Sequence, residues 1–322
     1  MHTSIAGTRY SLLGVAMQFP IFYSHFDYSP LWHDPFSTAA YLAIIISIIS
    51  LYFFQNNTVR VMNIAVALSL GIYSHRINGL GVIVLTILGG LFYFSWHGKF
   101  KWQIIARAGA LLLSIGMMFA LVPGFLNWQL VSNFVLTPDA IPYSMRFTFD
   151  KSFVGLLFLC FSPLTLIKPH HGWKPVLQVG ITAGVLAIMI LLPLSYALHY
   201  VRLEIKNSDL ISLWLINNLF FVCIAEEVIF RGIIQKSLQQ VLDKFAVGKW
   251  IALVISAALF GASHYQGGIN YVLLASVAGI IYGYAFMKTQ KIEASIITHF
   301  MVNTVHFLAF TYPALQSAFI AK

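Results

Sequence analysis

Charge is what this sequence has least of. Asp, Glu, Lys and Arg together make up 9% of its 322 residues, against 59% for the hydrophobic types, whereas an ordinary soluble domain is about 25% charged. A chain this poor in charge cannot cover a large water-facing surface, so most of its surface must meet lipid, and a mean hydropathy of +0.81 agrees. Acidic residues are the scarcer sign, ten against nineteen basic, which leaves a formal charge of +9. In a soluble protein that excess would point to nucleic acid. Here the cations sit in short loops between apolar runs, with no basic stripe interleaved with aromatics, so nucleic acid is not expected as a partner and the charge reports topology instead. Cysteine is almost absent: Cys160 and Cys223 both lie inside apolar runs, which excludes a disulfide framework and a Cys-based zinc site. Also lacking are an internal repeat, a low-complexity tract, a flexible linker and a small-residue cleavage site after the short apolar run that follows Arg9.

What the chain has in abundance is apolar runs. A helix crosses a bilayer with about 20 apolar residues, fewer when packed inside protein. Eleven candidate spans can be read: Ser11–Tyr23, Phe36–Phe54, Val61–Ser74, Leu80–Ser95, Gln103–Val122, Phe153–Ile167, Pro175–His199, Leu210–Lys236, Trp250–His264, Tyr271–Met287 and Ile292–Tyr312. Lipid cannot satisfy open backbone groups, so helices are the default and an all-α polytopic bundle of ten or eleven transmembrane helices is expected. Alternating these spans puts eleven basic residues on the side of Arg9, Arg60 and Lys99 and six on the side of Arg76, Arg146 and Lys151. The richer side should be cytoplasmic, which predicts a cytoplasmic N-terminus and, for a multi-pass protein of this kind, a bacterial inner membrane. The longest polar-leaning loop, Pro123–Lys151, separates five spans from six. The loop Lys168–Lys174 contains His170 and His171, but two adjacent histidines do not make a metal site.

Ionisable groups inside spans are costly and usually functional. The first half carries almost none; Arg107 is near a span end and can snorkel. The run Leu210–Lys236 carries Glu226, Glu227 and Arg231. Glu227 and Arg231 are i and i+4, share a face and can pair. Glu226 points about 100° away around the helix, with no charge partner in its own turn, a setting suited to a general acid or base. Phe260 and His264 are again i and i+4 at the end of the next span, and His299 and Asn303 share a face of the last. Each feature has a plain structural reading: an intramembrane ion pair, an interfacial histidine, an interhelical hydrogen-bond pair. Cys223 reads as packing, Glu293 beside Lys291 as interfacial, and Asn217 and Asn218 as cavity-lining or helix-bonding.

Taken together, Glu226-Glu227-Val228-Ile229-Phe230-Arg231, Phe260-Gly261-Ala262-Ser263-His264 and His299-Phe300-Met301-Val302-Asn303 resemble the EExxxR, FxxxH and HxxxN motifs of the CPBP family of intramembrane endopeptidases, also called the CAAX-protease or Abi family. The resemblance implies a protease core over about residues 205–315, preceded by an N-terminal multi-span region, 1–200, of unassigned role. It further implies that Glu226 activates water together with His264, that His299 and Asn303 stabilise the oxyanion, and that Glu227, Arg231 and Phe260 support the site. The implied partners are the bilayer and a protein or peptide substrate held at it. No cofactor is favoured. Zinc held by Glu226, His264 and His299 is the alternative, since two histidines and a carboxylate can bind it with an open fourth position, although no HExxH helix is present. A non-catalytic membrane partner, or a proton-coupled transporter using Glu226 and His264 as a relay, are the competing functions. Transporters are commonly built from repeats, and none is visible.

Overall fold

A computed structural model describes residues 5–12, 15–54, 56–166 and 172–319. His170 and His171 lie outside them. The described residues form eleven helices: α1 (Ser29–His33), α2 (Pro35–Phe53), α3 (Asn57–Tyr73), α4 (Gly79–His97), α5 (Phe100–Met118), α6 (Phe149–Phe161), α7 (Trp173–Ala197), α8 (Ile211–Val241), α9 (Gly248–Ala262), α10 (Gly268–Thr289) and α11 (Ile292–Ala309). By length and composition α2, α4, α7, α8 and α10 can cross a membrane, while α9 is apolar but shorter. The fold is predominantly helical and membrane-adapted, as expected.

It is not purely α. The described residues of the run Ser11–Tyr23, expected to be a short span, are β-structure: β1 (Ile5–Leu12) pairs antiparallel with β2 (Val15–Ser24), and β2 pairs in parallel with β5 (Ile205–Ser208). A run of thirteen residues, broken by Gln18 and Pro20, is too short to span as a helix but ample for a strand. The segment expected to be the long loop Pro123–Lys151 holds a hairpin, β3 (Trp128–Phe134) and β4 (Tyr143–Phe147). Along β4, Tyr143, Met145 and Phe147 are buried while Ser144 and Arg146 are exposed, the period-two alternation of a half-covered strand.

Successive helices α2 to α11 alternate in direction, so their connections gather at two ends. At one, Ile292 N donates to Leu164 O (3.0 Å) and Lys236 Nζ to Gln290 Oε1 (2.7 Å). At the other, the hairpin end, Asn78 N donates to Gly124 O (3.0 Å), Ala140 bridges Leu315 and Leu203 bridges Phe310. The N-terminal strands sit at the hairpin end through β5. The removal of the first span therefore also removes the premise for a cytoplasmic N-terminus.

The helices meet closely where side chains are smallest. A Cβ on Gly180 of α7 would lie 3.0 Å from Ala294 O of α11, and Thr298 Oγ1 donates to Gly180 O (3.0 Å). A Cβ on Gly155 of α6 would lie 2.7 Å from Ile224 of α8. Such contacts are the usual means of bringing helix backbones together where lipid gives no hydrophobic drive to association.

Candidate active site

The site is built on α8, which winds as α-helix over Ile224–Glu227 between two π-helical turns, Asn218–Cys223 and Val228–Gln235. π-bulges within helices concentrate at functional sites. Glu227 and Arg231 are both fully buried and pair at 3.0 Å between Oε2 and Nε. The guanidinium lies over the Phe260 ring, 4.8 Å from its centroid, with Phe230 and Tyr282 each at 5.9 Å. This planar cation is enclosed by aromatic faces that favour it electrostatically.

The second oxygen of Glu227 reaches His299 Nδ1 at 2.9 Å. A carboxylate facing Nδ1 makes that nitrogen the donor and leaves Nε2 as the remaining ring nitrogen. The His299 ring stacks on Tyr282 at 4.8 Å and meets the Phe260 edge at 5.7 Å. Glu227 is thus the hub of an Arg231–Glu227–His299 chain joining α8 to α11. The Glu227–Arg231 pair was legible from spacing; the bond to His299 was not.

His264 falls just beyond the end of α9. Its Nδ1 lies 2.8 Å from Phe260 O, and a carbonyl can only accept, so Nδ1 carries the proton and Nε2 is free to act as an acceptor. Asn303 donates from Nδ2 to Asn218 Oδ1 at 3.0 Å, one of the two asparagines singled out upstream of Glu226. Glu293 is buried at the opposite end of the bundle, accepting from Tyr52 Oη (3.1 Å) and Leu166 N (2.7 Å). It is a structural tie rather than the expected interfacial residue.

Glu226, His264, His299 and Asn303 line one cavity of about 360 Å³. Phe260 forms part of its wall, while Glu227 and Arg231 lie behind it. Tyr143, Ser144 and Arg146 of β4 also border it, so it opens toward the hairpin end. Glu226 has a partner that the sequence did not reveal: Lys151 Nζ stands 3.4 Å from its Oε1, the two side chains being 15% and 12% exposed. The expectation of a carboxylate with no charge partner holds only within its own helix. His299 Nδ1 bonds Glu227 and His264 Nδ1 bonds Phe260 O, which leaves both Nε2 atoms open, the arrangement that zinc-ligating histidines also have. Among the described residues no group of three His, Cys, Asp or Glu side chains is gathered closely enough to hold a metal ion.

Residues 208–305 match a family model described as Rce1-like, type II CAAX prenyl endopeptidase. That stretch contains Glu226, Glu227, Arg231, Phe260, His264, His299 and Asn303, and the resemblance to the CAAX-protease family read from the three motifs stands. Lys151 lies outside it. No curated protein and no solved structure matches the chain.

Proposed function

We propose that this chain is an intramembrane endopeptidase that cuts a membrane-associated or C-terminally tagged protein with water activated between Glu226 and His264. The observation that carries the reading is the convergence of Glu226, His264, His299 and Asn303, from three helices, on one cavity. Glu226 takes a proton from water while the oxygen attacks the scissile carbonyl, and His264 Nε2 holds that water. With Nδ1 donating to Glu227, His299 donates to the oxyanion from Nε2 as the imidazolium that this carboxylate stabilises, beside the Asn303 amide; such stabilisation is commonly the largest single contribution in acyl transfer. Collapse of the tetrahedral intermediate breaks the C–N bond, and the proton passes from Glu226 to the leaving amine. Glu227 and Arg231 fix His299. This scheme needs no metal.

The proposal extends to the setting. All ten helices α2–α11 are embedded, in a bacterial inner membrane, and the cavity mouth at the hairpin end faces away from the cytoplasm. The Lys and Arg placed at the two ends support that side. Arg60, Lys99, Lys101, Lys174, Lys236, Lys244, Lys249, Lys288 and Lys291 make nine at the end opposite the hairpin, against six at the hairpin end (Arg9, Arg76, Arg146, Lys151, Arg202 and Lys206). The richer end belongs in the cytoplasm, and β1 and β2 then lie outside it, the reverse of the orientation expected from an N-terminal span.

The test is the full-length protein in liposomes against a farnesylated peptide ending in a CAAX sequence. It is paired with mass spectrometry of membrane-protein termini from cells expressing the parent chain or Glu226→Gln. New termini and peptide cleavage that vanish in Glu226→Gln, with folding retained, are expected. Identical termini and no cleavage by the parent overturn the reading in favour of a non-catalytic membrane partner. Activity abolished by a chelator and restored by zinc overturns the metal-free scheme alone.

A further inference from the structure

We infer that Lys151 is a positioning residue of this site, contributed by the N-terminal half of the chain, whose ammonium holds the Glu226 carboxylate in place at the cavity wall. The inference rests on the reading of Glu226 as the base that activates water, and it gives the region before the family-matched segment a part in the chemistry.

Three observations support it. Lys151 is in the first turn of α6, where the helix dipole disfavours a cation. The adjacent Asp150 suits that position, and its Oδ1 accepts from Lys151 N at 2.9 Å. A lysine there is ordinarily free to extend into water, yet its side chain is 15% exposed and its Nζ stands 3.4 Å from Glu226 Oε1. Taking a flexible cation out of water is unfavourable unless an opposite charge compensates it.

The other charges around Glu226 are already engaged or are not permanent. Arg231 and His299 both bond Glu227, and His264 is turned to Phe260 O through Nδ1. Lys151 is therefore the permanent positive charge set directly against Glu226. The contact is possible because α6 lies close to α8 at Gly155, one turn further along from Lys151. An ion pair at 3.4 Å is long enough to loosen as Glu226 takes a proton from water and to re-form when it passes that proton on.

The test has two arms on the full-length protein. In the first, Lys151→Gln, Lys151→Met and Lys151→Arg are assayed on the farnesylated CAAX peptide. Loss of a positioning contact predicts kcat reduced about tenfold or more in the Gln and Met variants with KM little changed, and recovery by Arg. In the second, melting temperatures of Lys151→Met, Glu226→Gln and the double variant form a cycle that needs no substrate. Pairing predicts that Lys151→Met lowers the melting temperature and that adding Glu226→Gln recovers most of the loss. A parent enzyme that cleaves while Lys151→Gln keeps full kcat overturns the inference, and so do additive melting shifts. If the parent neither cleaves the peptide nor changes membrane-protein termini while the cycle shows coupling, the endopeptidase reading has failed and the ion pair survives as structure only.

Discussion

The fully buried Glu227–Arg231 pair is tied to His299, and that tie sets what a single substitution does. Replacing Arg231 by Leu leaves a carboxylate in the interior with a histidine as its remaining partner. Breaking a buried pair from one side costs roughly 3–5 kcal/mol, so Arg231→Leu should fall well below the parent in thermal unfolding. Arg231→Lys should recover only part, since an ammonium cannot reproduce the planar guanidinium over the Phe260 ring. A second residue gives a pH signature. Lys206 on β5 is 5% exposed and donates to the carbonyls of Glu204 and Phe310, and burial pushes its pKa down to about 7. Unfolded, it returns to about 10.4. Between these values the unfolded chain holds one more proton than the folded one, so this residue makes stability rise with pH by up to about 1.4 kcal/mol per unit. Unfolding scans from pH 7 to 9 should show that rise, and Lys206→Met should flatten it. At this scale the sequence was legible where partners are near in the chain. Glu227 and Arg231 pair at the i, i+4 spacing that announced them. Lys151 and Glu226, 75 positions apart, gave no local sign of meeting.

Helices were legible wherever apolar runs exceeded about fifteen residues, because a run of that length has few other folds open to it. The strands were missed for the converse reason. A thirteen-residue run such as Ser11–Tyr23 suits either form, and its pairing with β5, some 180 positions away, decides the matter. The alternation Tyr143-Ser144-Met145-Arg146-Phe147 was a readable strand signal hidden in a segment classed as loop by its prolines. The π-helical turns flanking Glu226 had no sequence cue. Helix contacts give the prediction at this scale. A side chain on Gly155 would drive into Ile224, itself 5% exposed with little room to yield. Gly155→Val should therefore destabilise by about 1–3 kcal/mol, the usual cost of overpacking, and should lower kcat by moving Lys151 off Glu226. Gly90 on α4, where a Cβ meets nothing within 4 Å, is the control. Gly90→Ala should leave unfolding and cleavage unchanged or slightly raise stability through helix propensity.

At the scale of the whole molecule, the two ends differ in more than their count of cations. The hairpin end carries Asp27, Asp34, Asp139, Asp150, Glu204 and Asp209, which balance its six Lys and Arg. The opposite end carries only Asp243 and Glu293 against nine, a surplus of seven. Several hairpin-end cations are also withdrawn from the surface: Arg76 pairs with Asp34 at 2.6 Å, Lys151 with Glu226, and Lys206 is buried. The count of Lys and Arg alone, which is what biases orientation, also favours the end opposite the hairpin, nine against six. On the proposed orientation, a substrate entering this cavity comes from outside the cytoplasm. Single cysteines at exposed positions test this with a membrane-impermeant maleimide on intact cells, against the parent with its half-buried Cys160 and buried Cys223 as background. His33→Cys and Ser144→Cys, the latter at the cavity mouth, should label at once, and Lys244→Cys only after permeabilisation. The reverse pattern would put the mouth in the cytoplasm. The charge asymmetry would then have been overridden during insertion, and the search for substrates would move to proteins whose cleaved segment lies on the cytoplasmic face.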